Sequence, residues 1–395
     1  ARYGIDVRMP GMMYATVLRA PVNGERAISV NDAEAKKVPG VKHIVPLPYG
    51  VAVVADTYPA AQKGRQALKV EWSQASKARS YTTDKVLPEY VQRVRNLDDK
   101  GTVYESHGDA QGAIAKAAKR VSAEYTSLNV THATMEPQNC TARVDGDAIE
   151  FWAPTQSPFG VFLAAVKGAG FKPENVKINV TFLGGGFGRR AENDYAIDAA
   201  LIAKAVPGVA IKTIWTREDD TRYTKPRPLT VQRLEAGLDA QGNLVGLRTR
   251  VCGESIYRRF APPAFQASGG KDLPLCEGAY EPTYHYPNFS LEQLLEARGV
   301  DVAVWRSVGG GYTKFALETF VEEVAAAAGK DPIAFRMQLL EKQPRGQAVI
   351  REATALAGWE RKRPAGRAAG LADSDIWEPY IAVVAGVSGE RKTGK

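Results

Sequence analysis

Histidine and cysteine are scarce in this chain, with four of the first and three of the second among 395 residues. Cys140, Cys252 and Cys276 stand far apart, with no CxxC pair and none of the spacings by which thiolates hold zinc or an iron–sulfur cluster. His43, His107, His132 and His285 are equally dispersed, so the sequence offers no recognisable side-chain metal site. Long apolar runs are missing too; none approaches the roughly 18 residues a membrane-spanning helix needs. The opening ARYGIDVRMPGMMYATVLRAP alternates apolar and polar residues like a strand and lacks the basic and then apolar regions of an export signal. Such a signal is expected to be absent or already removed. A charge surplus exists, +8, but 52 basic residues are interleaved with 44 acids, and the densest clusters are short: Arg361-Lys362-Arg363 and Arg391-Lys392. That pattern keeps a surface wet and leaves no phosphate-backbone footprint, so nucleic acid is not an expected partner.

What is present fits a globular protein of two or three domains, with 44% hydrophobic and 24% charged residues. Up to about residue 75, GMMYATVLRAP, VKHIVPLP, VAVVAD and ALKVEWS read as strands around the helical VNDAEAKKVPG and YPAAQKGRQA, a small α/β unit. Ser76 to Asp109 shows no clear periodicity and reads as a linker or surface excursion. From about Arg120 the strands lengthen. Hairpin turns are expected at Asp145-Gly146 and near Gly242.

Between those hairpins, Ile178, Val180 and Phe182 alternate with polar residues and run into LGGGFGRR; Tyr195, Ala199, Ile202 and Val206 then recur at helical spacing until Pro207-Gly208. A second glycine loop, Gly309 to Gly311, precedes a helix with Leu317, Phe320, Val321 and Val324 on one face; Gly329 ends it and Asp331-Pro332 opens the next. Two glycine loops feeding two helix N-termini are candidate anion cradles. Glycines that merely let a helix pack closely are the equal alternative. Neither loop is a Walker A sequence or a sound dinucleotide fingerprint.

Five motifs carry the reading further: MEPQNC (Met135–Cys140), APTQSP (Ala153–Pro158), FLGGGFGRR (Phe182–Arg190), TREDD (Thr216–Asp220) and WRSVGGG (Trp305–Gly311). Each is weak singly; together, in order and spacing from Ala1 to about Trp359, they resemble the molybdenum-cofactor large subunit of the xanthine oxidase family. The double arginine and the Trp-Arg-Ser-Val-Gly run resemble the isoquinoline 1-oxidoreductase beta subunit branch, which includes cytochrome-linked aldehyde dehydrogenases of bacteria. The resemblance implies an α+β fold: a small α/β hammerhead-like domain and linker over 1–110, a mixed-sheet molybdenum-cofactor domain over 111–360, and over 361–395 the beginning of a second cofactor domain, broken off where a strand should return.

It also implies a cofactor, molybdopterin extended by a cytosine nucleotide, held by loops without a protein ligand to the metal. Gln156 matches a glutamine that hydrogen-bonds an oxygen ligand of molybdenum. Gly185, Gly186, Phe187 and Gly188 match the loop beside metal and pterin, and Arg306, Ser307, Val308 and Gly309 a second such loop. Arg189 or Arg190 could meet cofactor phosphates, an ordinary ion pair being the alternative for either. Glu192 is the substrate-side candidate, the alternative being a first-turn carboxylate favoured by the helix dipole. Met135 and Glu136 either line the access route or are a core methionine and a buried, paired acid.

The implied reaction is oxidation of an aldehyde or N-heteroaromatic substrate by water-derived oxygen, with hydride passing to a sulfido ligand and a glutamate as base. That glutamate belongs to a Gly-Glu-Pro segment that this sequence does not contain, so the base is expected beyond Lys395. The chain is accordingly expected to be an internal part of a longer polypeptide, or one piece of a split subunit, inactive alone. Ala191 stands where purine-oxidising members carry a glutamate, and no substrate arginine occurs near Leu275, which argues against xanthine. Implied partners are the rest of the large subunit, a two-cluster [2Fe–2S] small subunit and, in some relatives, a c-type cytochrome carrying haem. The periplasm or its membrane face is the expected compartment, with the cytoplasm second. Two other classes stay open: a noncatalytic scaffold or assembly protein, favoured by the missing base, and a nucleotide- or phosphate-binding module, disfavoured because neither loop carries a nucleotide fingerprint.

Overall fold

A computed structural model describes residues 2–280, 284–390 and 392–394; Arg391 of the second basic cluster lies outside them. Two compact units emerge, both discontinuous in sequence. The first comprises Ala1–Thr82, Asn129–Arg227 and Ala297–Arg306; the second comprises Thr83–Leu128, Pro228–Glu296 and Ser307–Lys395.

The first unit is built on a seven-stranded mixed sheet in the order Val176–Val180, Ala148–Ala153, Asn139–Asp145, Ile211–Ile214, Met13–Arg19, Gly50–Ala55, Val41–Leu47. It thus joins strands from the N-terminal stretch to strands from the middle of the chain. All six residues of Gly50–Ala55 are buried because both faces of the sheet are covered. Val51 and Val53 pack with Ala35 and Leu68 on one side; Ala52 and Val54 pack with Ile202 of the helix Asp194–Ala205 and with Val206 just past its end on the other. The Asp145-Gly146 turn is observed, with Gly146 at φ 57° between the paired strands Asn139–Asp145 and Ala148–Ala153.

The second unit carries a five-stranded sheet in the order Thr102–His107, Phe289–Glu296, Leu244–Glu254, Thr230–Leu238, Lys119–Ser127, and the hairpin turning at Gly242 lies within it. The helix Gly310–Ala328 buries Leu317, Phe320, Val321 and Val324 against Leu234, Leu247, Phe289 and Leu291. Each such side chain contributes about 1.5–3 kcal/mol by leaving water. Gly329 ends this helix at φ 69°, and the Asp331 carboxylate caps the next by accepting from the Ile333 and Ala334 N–H groups.

Two expectations are corrected. The stretch 76–109 is no linker: it holds the helix Thr83–Arg95 and the edge strand Thr102–His107. Val86, Tyr90 and Val94, four residues apart, form one buried face on the neighbouring strands, a period that the interior Pro88 and the surrounding charges disguise. The last segment is likewise not broken off at one strand, since Arg367–Ser374 pairs antiparallel with Ile381–Ser388.

Candidate functional site

The glycine loop leaves the edge strand Val176–Val180 and ends in a short 3-10 turn, Arg189–Ala191, before the helix Asp194–Ala205. Its glycines answer to close contacts. A Cβ on Gly184 would lie 2.5 Å from the Glu136 Cβ, one on Gly186 2.4 Å from the Gln156 Oε1, and one on Gly188 2.3 Å from the Val304 carbonyl oxygen. Gly185 and Gly188 also take φ of 96° and 99°, which glycine alone adopts freely. Between them Phe187 is held at φ 56°, a conformation costly for a non-glycine residue and characteristic of functional loops.

Gln156 follows the strand Ala148–Ala153. Its backbone N–H donates to the Arg190 carbonyl at 3.0 Å, and its side-chain Oε1 accepts the Gly188 N–H at 3.0 Å. The oxygen being engaged, the Nε2 hydrogens are left as donors on an exposed side chain, with no protein acceptor among the described residues. The N–H groups of Gly185, Gly186 and Phe187 also find no acceptor among those residues, although Gly186 is buried. Successive unpartnered amide donors in a partly buried loop are the signature of a cradle for oxygen atoms.

Arg306 reaches the same place. Its N–H donates to the Phe187 carbonyl at 2.9 Å, and its guanidinium lies 5.3 Å from the centroid of the Phe187 ring. The structure therefore assembles Gln156, Gly185, Gly186, Phe187, Gly188 and Arg306 within the first unit. Ser307 and Val308, at φ 72° and 50°, continue the chain into the second unit as two consecutive non-glycine residues in the left-handed region. Gly309 is explained by packing, because a Cβ there would meet the Pro274 carbonyl oxygen at 2.5 Å. Behind the loop, His132 shares the Val304 carbonyl at 2.9 Å through Nε2, while its Nδ1 and the Trp305 Nε1 are buried without partners. Burial lowers the His132 imidazole to about 4, with the Val304 contact and Glu192 opposing and Arg189 reinforcing the shift.

The two arginines do not face a phosphate. Both are fully buried, and the ion-pair alternative describes them. Arg189 donates to both oxygens of Asp194, at 2.9 and 3.0 Å, and lies 5.3 Å from the Trp215 ring. Burial by itself would raise the Asp194 carboxyl, but Arg189 and Lys225 hold it well below the usual range. Arg190 turns the opposite way, to the carbonyls of Gly185 at 3.1 Å, Pro154 at 2.9 Å and Glu136 at 3.0 Å, and to the Glu136 carboxylate at 3.1 Å. Glu136 is thus the buried, paired acid, whereas Met135 is 87% exposed and no core residue. Glu192 is buried, its carboxylate 3.8 Å from Lys225 Nζ.

The TREDD motif, whose part composition and spacing did not reveal, braces this arrangement. Thr216 and Asp219 form a capping box on the helix Arg217–Arg222, Asp219 takes both arms of Arg65 at 2.5 Å, and Arg217 donates to the Thr134 and Met135 carbonyls at 2.5 and 2.9 Å. A separate cavity of ≈690 Å³ in the same unit, walled by Arg19, Tyr49, Trp215, Tyr223 and Lys225, includes neither Gln156 nor the glycine loop in its lining. Cys140, Cys252 and Cys276 are buried thiols, and no cluster of three metal-ligating side chains occurs among the described residues.

Comparison with known proteins identifies the family. Residues 95–340 match the molybdopterin cofactor-binding domain model. The chain is 34% identical to isoquinoline 1-oxidoreductase subunit beta of Brevundimonas diminuta over 98% of its own length and 51% of that protein's. It is 31% identical to the membrane-bound aldehyde dehydrogenase of Gluconacetobacter polyoxogenes over 88% of its own length and 47% of the relative's. It therefore spans about half the length of these curated relatives. Among solved structures, quinoline 2-oxidoreductase from Pseudomonas putida superposes with a TM-score of 0.74 at 19% identity, over 95% of this chain and 55% of that one. Aldehyde oxidoreductase from Desulfovibrio desulfuricans gives 0.75 at 16% identity, over 95% and 48%. At such identities the superpositions establish the shared fold.

Proposed function

The chain belongs to the molybdopterin cofactor-binding family, and on that premise we propose that it is the cofactor-holding part of a molybdenum oxidoreductase large subunit that oxidises an aldehyde or an N-heteroaromatic carbon. The observation that carries the proposal is the Gln156 clamp: its Oε1 is fixed by the Gly188 N–H, so its Nε2 presents two hydrogens beside the unpartnered amides of Gly185, Gly186 and Phe187. A pterin–molybdenum group rich in oxygen and sulfur acceptors fits such a donor set. When bound, it supplies two-electron oxidation with oxygen drawn from water.

The residues of this chain bind and orient. The loop amides meet acceptor atoms without needing charge, and Gln156 donates through Nε2. Phe187 and Arg306 stack as one wall, and Ser307 and Val308 are further cofactor-side positions, argued from their left-handed backbone. Glu192 remains the substrate-side candidate, its carboxylate 3.8 Å from the Lys225 ammonium. The proton-accepting glutamate is assigned to no residue of this chain. The cytosine-nucleotide form of the cofactor, a two-cluster [2Fe–2S] subunit and a c-type cytochrome as electron acceptors, and a location at the periplasmic face of the membrane complete the proposal. The relatives named as a beta subunit and as membrane-bound support a multi-subunit assembly and a membrane location; the cofactor form and the electron carriers follow the family resemblance.

The test is molybdenum per chain, by elemental mass spectrometry on the natively purified complex, for the wild type and Gln156→Leu. Near-stoichiometric metal in the wild type and a marked loss in the variant are expected, with the fold retained because the side chain is exposed and the bond it gives up, from the Gly188 N–H, is worth about 1 kcal/mol. No molybdenum in an intact complex would replace this reading with a scaffold role.

A further inference from the structure

One buried carboxylate ties together several of the segments that shape the loop. The Glu136 Oε1 accepts the Ile5 N–H at 2.9 Å and the Asn139 Nδ2 at 2.9 Å; its Oε2 accepts the Gly184 N–H at 2.7 Å and Arg190 Nη2 at 3.1 Å. The Glu136 N–H also donates to the Gly184 carbonyl at 3.0 Å. Through Arg190 the same hub grips the Gly185 and Pro154 carbonyls, and Pro154 lies two residues from Gln156. Through Ile5 it fixes the N-terminal segment, whose Gly4 N–H donates to the Phe182 carbonyl at 3.3 Å and whose Tyr3 ring lies 6.1 Å from that of Phe182. Gly4 is itself confined: a Cβ there would stand 2.5 Å from the Pro154 side chain and 2.7 Å from the Asn139 Oδ1.

We propose that Glu136 is a positioning residue: its carboxylate, paired with Arg190, sets the backbone of Gly184–Gly188 and the approach of Gln156 in the geometry that receives the cofactor. The inference rests on the functional reading above. Four donors saturate two oxygens, so the hub depends on an acceptor-only group. A glutamine of the same shape has one acceptor oxygen and an NH2 that confronts donors at the other end. Glu136→Gln therefore probes electronic fit at nearly constant volume, whereas Glu136→Asp keeps the charge and shortens the reach.

The experiment measures amide hydrogen exchange in peptides spanning 183–190 and 50–55 of the purified chain, together with molybdenum content of the complex, for the wild type, Glu136→Gln, Glu136→Asp and Asp198→Asn. The last variant breaks the buried Arg19–Asp198 pair of the same unit, whose carboxylate is otherwise held by Tyr49 and Trp215. Exchange at 183–190 is expected to rise about 10-fold or more in Glu136→Gln with 50–55 unchanged, and molybdenum to fall about 10- to 100-fold, the usual cost of losing a supporting partner of a metal site. Glu136→Asp should recover part of both. Asp198→Asn should leave exchange at 183–190 and the metal content at wild-type values. The proposal is overturned if Glu136→Gln raises exchange equally in both peptides, if the loop does not respond, or if Asp198→Asn loses as much metal. Absence of molybdenum from the wild-type complex would remove the functional reading, and the exchange ratio would then still decide whether Glu136 sets the loop.

Discussion

Alanine at two neighbouring glycines should separate backbone strain from ligand placement. At Gly188 a Cβ would stand 2.3 Å from the Val304 carbonyl oxygen, and the residue needs φ 99°. Holding alanine in the left-handed region costs about 1–2 kcal/mol. The clash with fixed backbone forces the segments at 187–188 and 304–306 apart and removes the 2.9 Å hydrogen bond from the Arg306 N–H to the Phe187 carbonyl, worth about 1 kcal/mol more. Gly188→Ala is therefore expected to destabilise by about 3 kcal/mol. At Gly186 the obstructing atom is the Gln156 Oε1, 2.4 Å away at the end of a flexible exposed side chain, and the residue lies outside the left-handed region. Gln156 can swing aside, at the cost of its bond from the Gly188 N–H, about 1 kcal/mol. In a thermal melt, where a unit of this size shifts by about 2–4 °C per kcal/mol, the two should differ roughly threefold. Gly186→Ala should nevertheless lose molybdenum like Gln156→Leu, because it evicts the same side chain. Equal melting shifts, or a Gly186→Ala protein that keeps its metal, would refute the reasoning.

Two pH effects of opposite sign should accompany the buried groups. His132 has its pKa lowered from 6.5 to about 4 by burial, so its contribution is intact above the ordinary value and is lost as pH falls through the lowered one. The limit is about 3 kcal/mol; urea unfolding at about pH 7 and about pH 4.5 should show a fall that shrinks in His132→Gln, and an unaltered fall would contradict it. Glu318 is raised to about 7 by burial and then by Asp373, and the Glu318 Oε1 and Asp373 Oδ2 are buried without partners. Its contribution is present below the ordinary carboxylate range and is lost as pH rises through about 7. Stability of the wild type should therefore decline from about pH 4.5 to about pH 7, and Glu318→Gln should flatten that decline; a variant with the wild-type slope would assign the decline elsewhere.

Legibility in the sequence followed the strength of local signals. The helix Gly310–Ala328 and its αL stop at Gly329 were readable because the apolar spacing and the terminator agree. The hairpins at Gly146 and Gly242 were readable because glycine punctuates alternating strands. The helix Thr83–Arg95 was not, since only three buried residues mark its face and Pro88 interrupts it. At the site, the motifs located Gln156, the glycine loop and Arg306, and the structure brings these together. The direction of adjacent side chains was not readable: nothing in a double arginine says that one turns to Asp194 and the other to Glu136, because their partners lie in segments that only the fold makes adjacent.

That inward turn of both arginines decides what kind of receptor the loop can be. A guanidinium in the cradle would hold an anion by charge, on a long side chain whose ordering carries an entropic cost. Here the guanidiniums are spent on the Asp194 and Glu136 carboxylates and on backbone carbonyls, and the groups left without an acceptor among the described residues are the amides of Gly185, Gly186 and Phe187 and the Gln156 Nε2. Backbone donors have no rotamers to lose, and their directions are set by φ values of 96°, 56° and 99° at residues 185, 187 and 188. Such a receptor selects by the positions of acceptor atoms more than by net charge. It also explains why consecutive glycines cannot be exchanged for cationic residues: a side chain at 184, 186 or 188 would strike Glu136, Gln156 or Val304, the very groups that aim the donors.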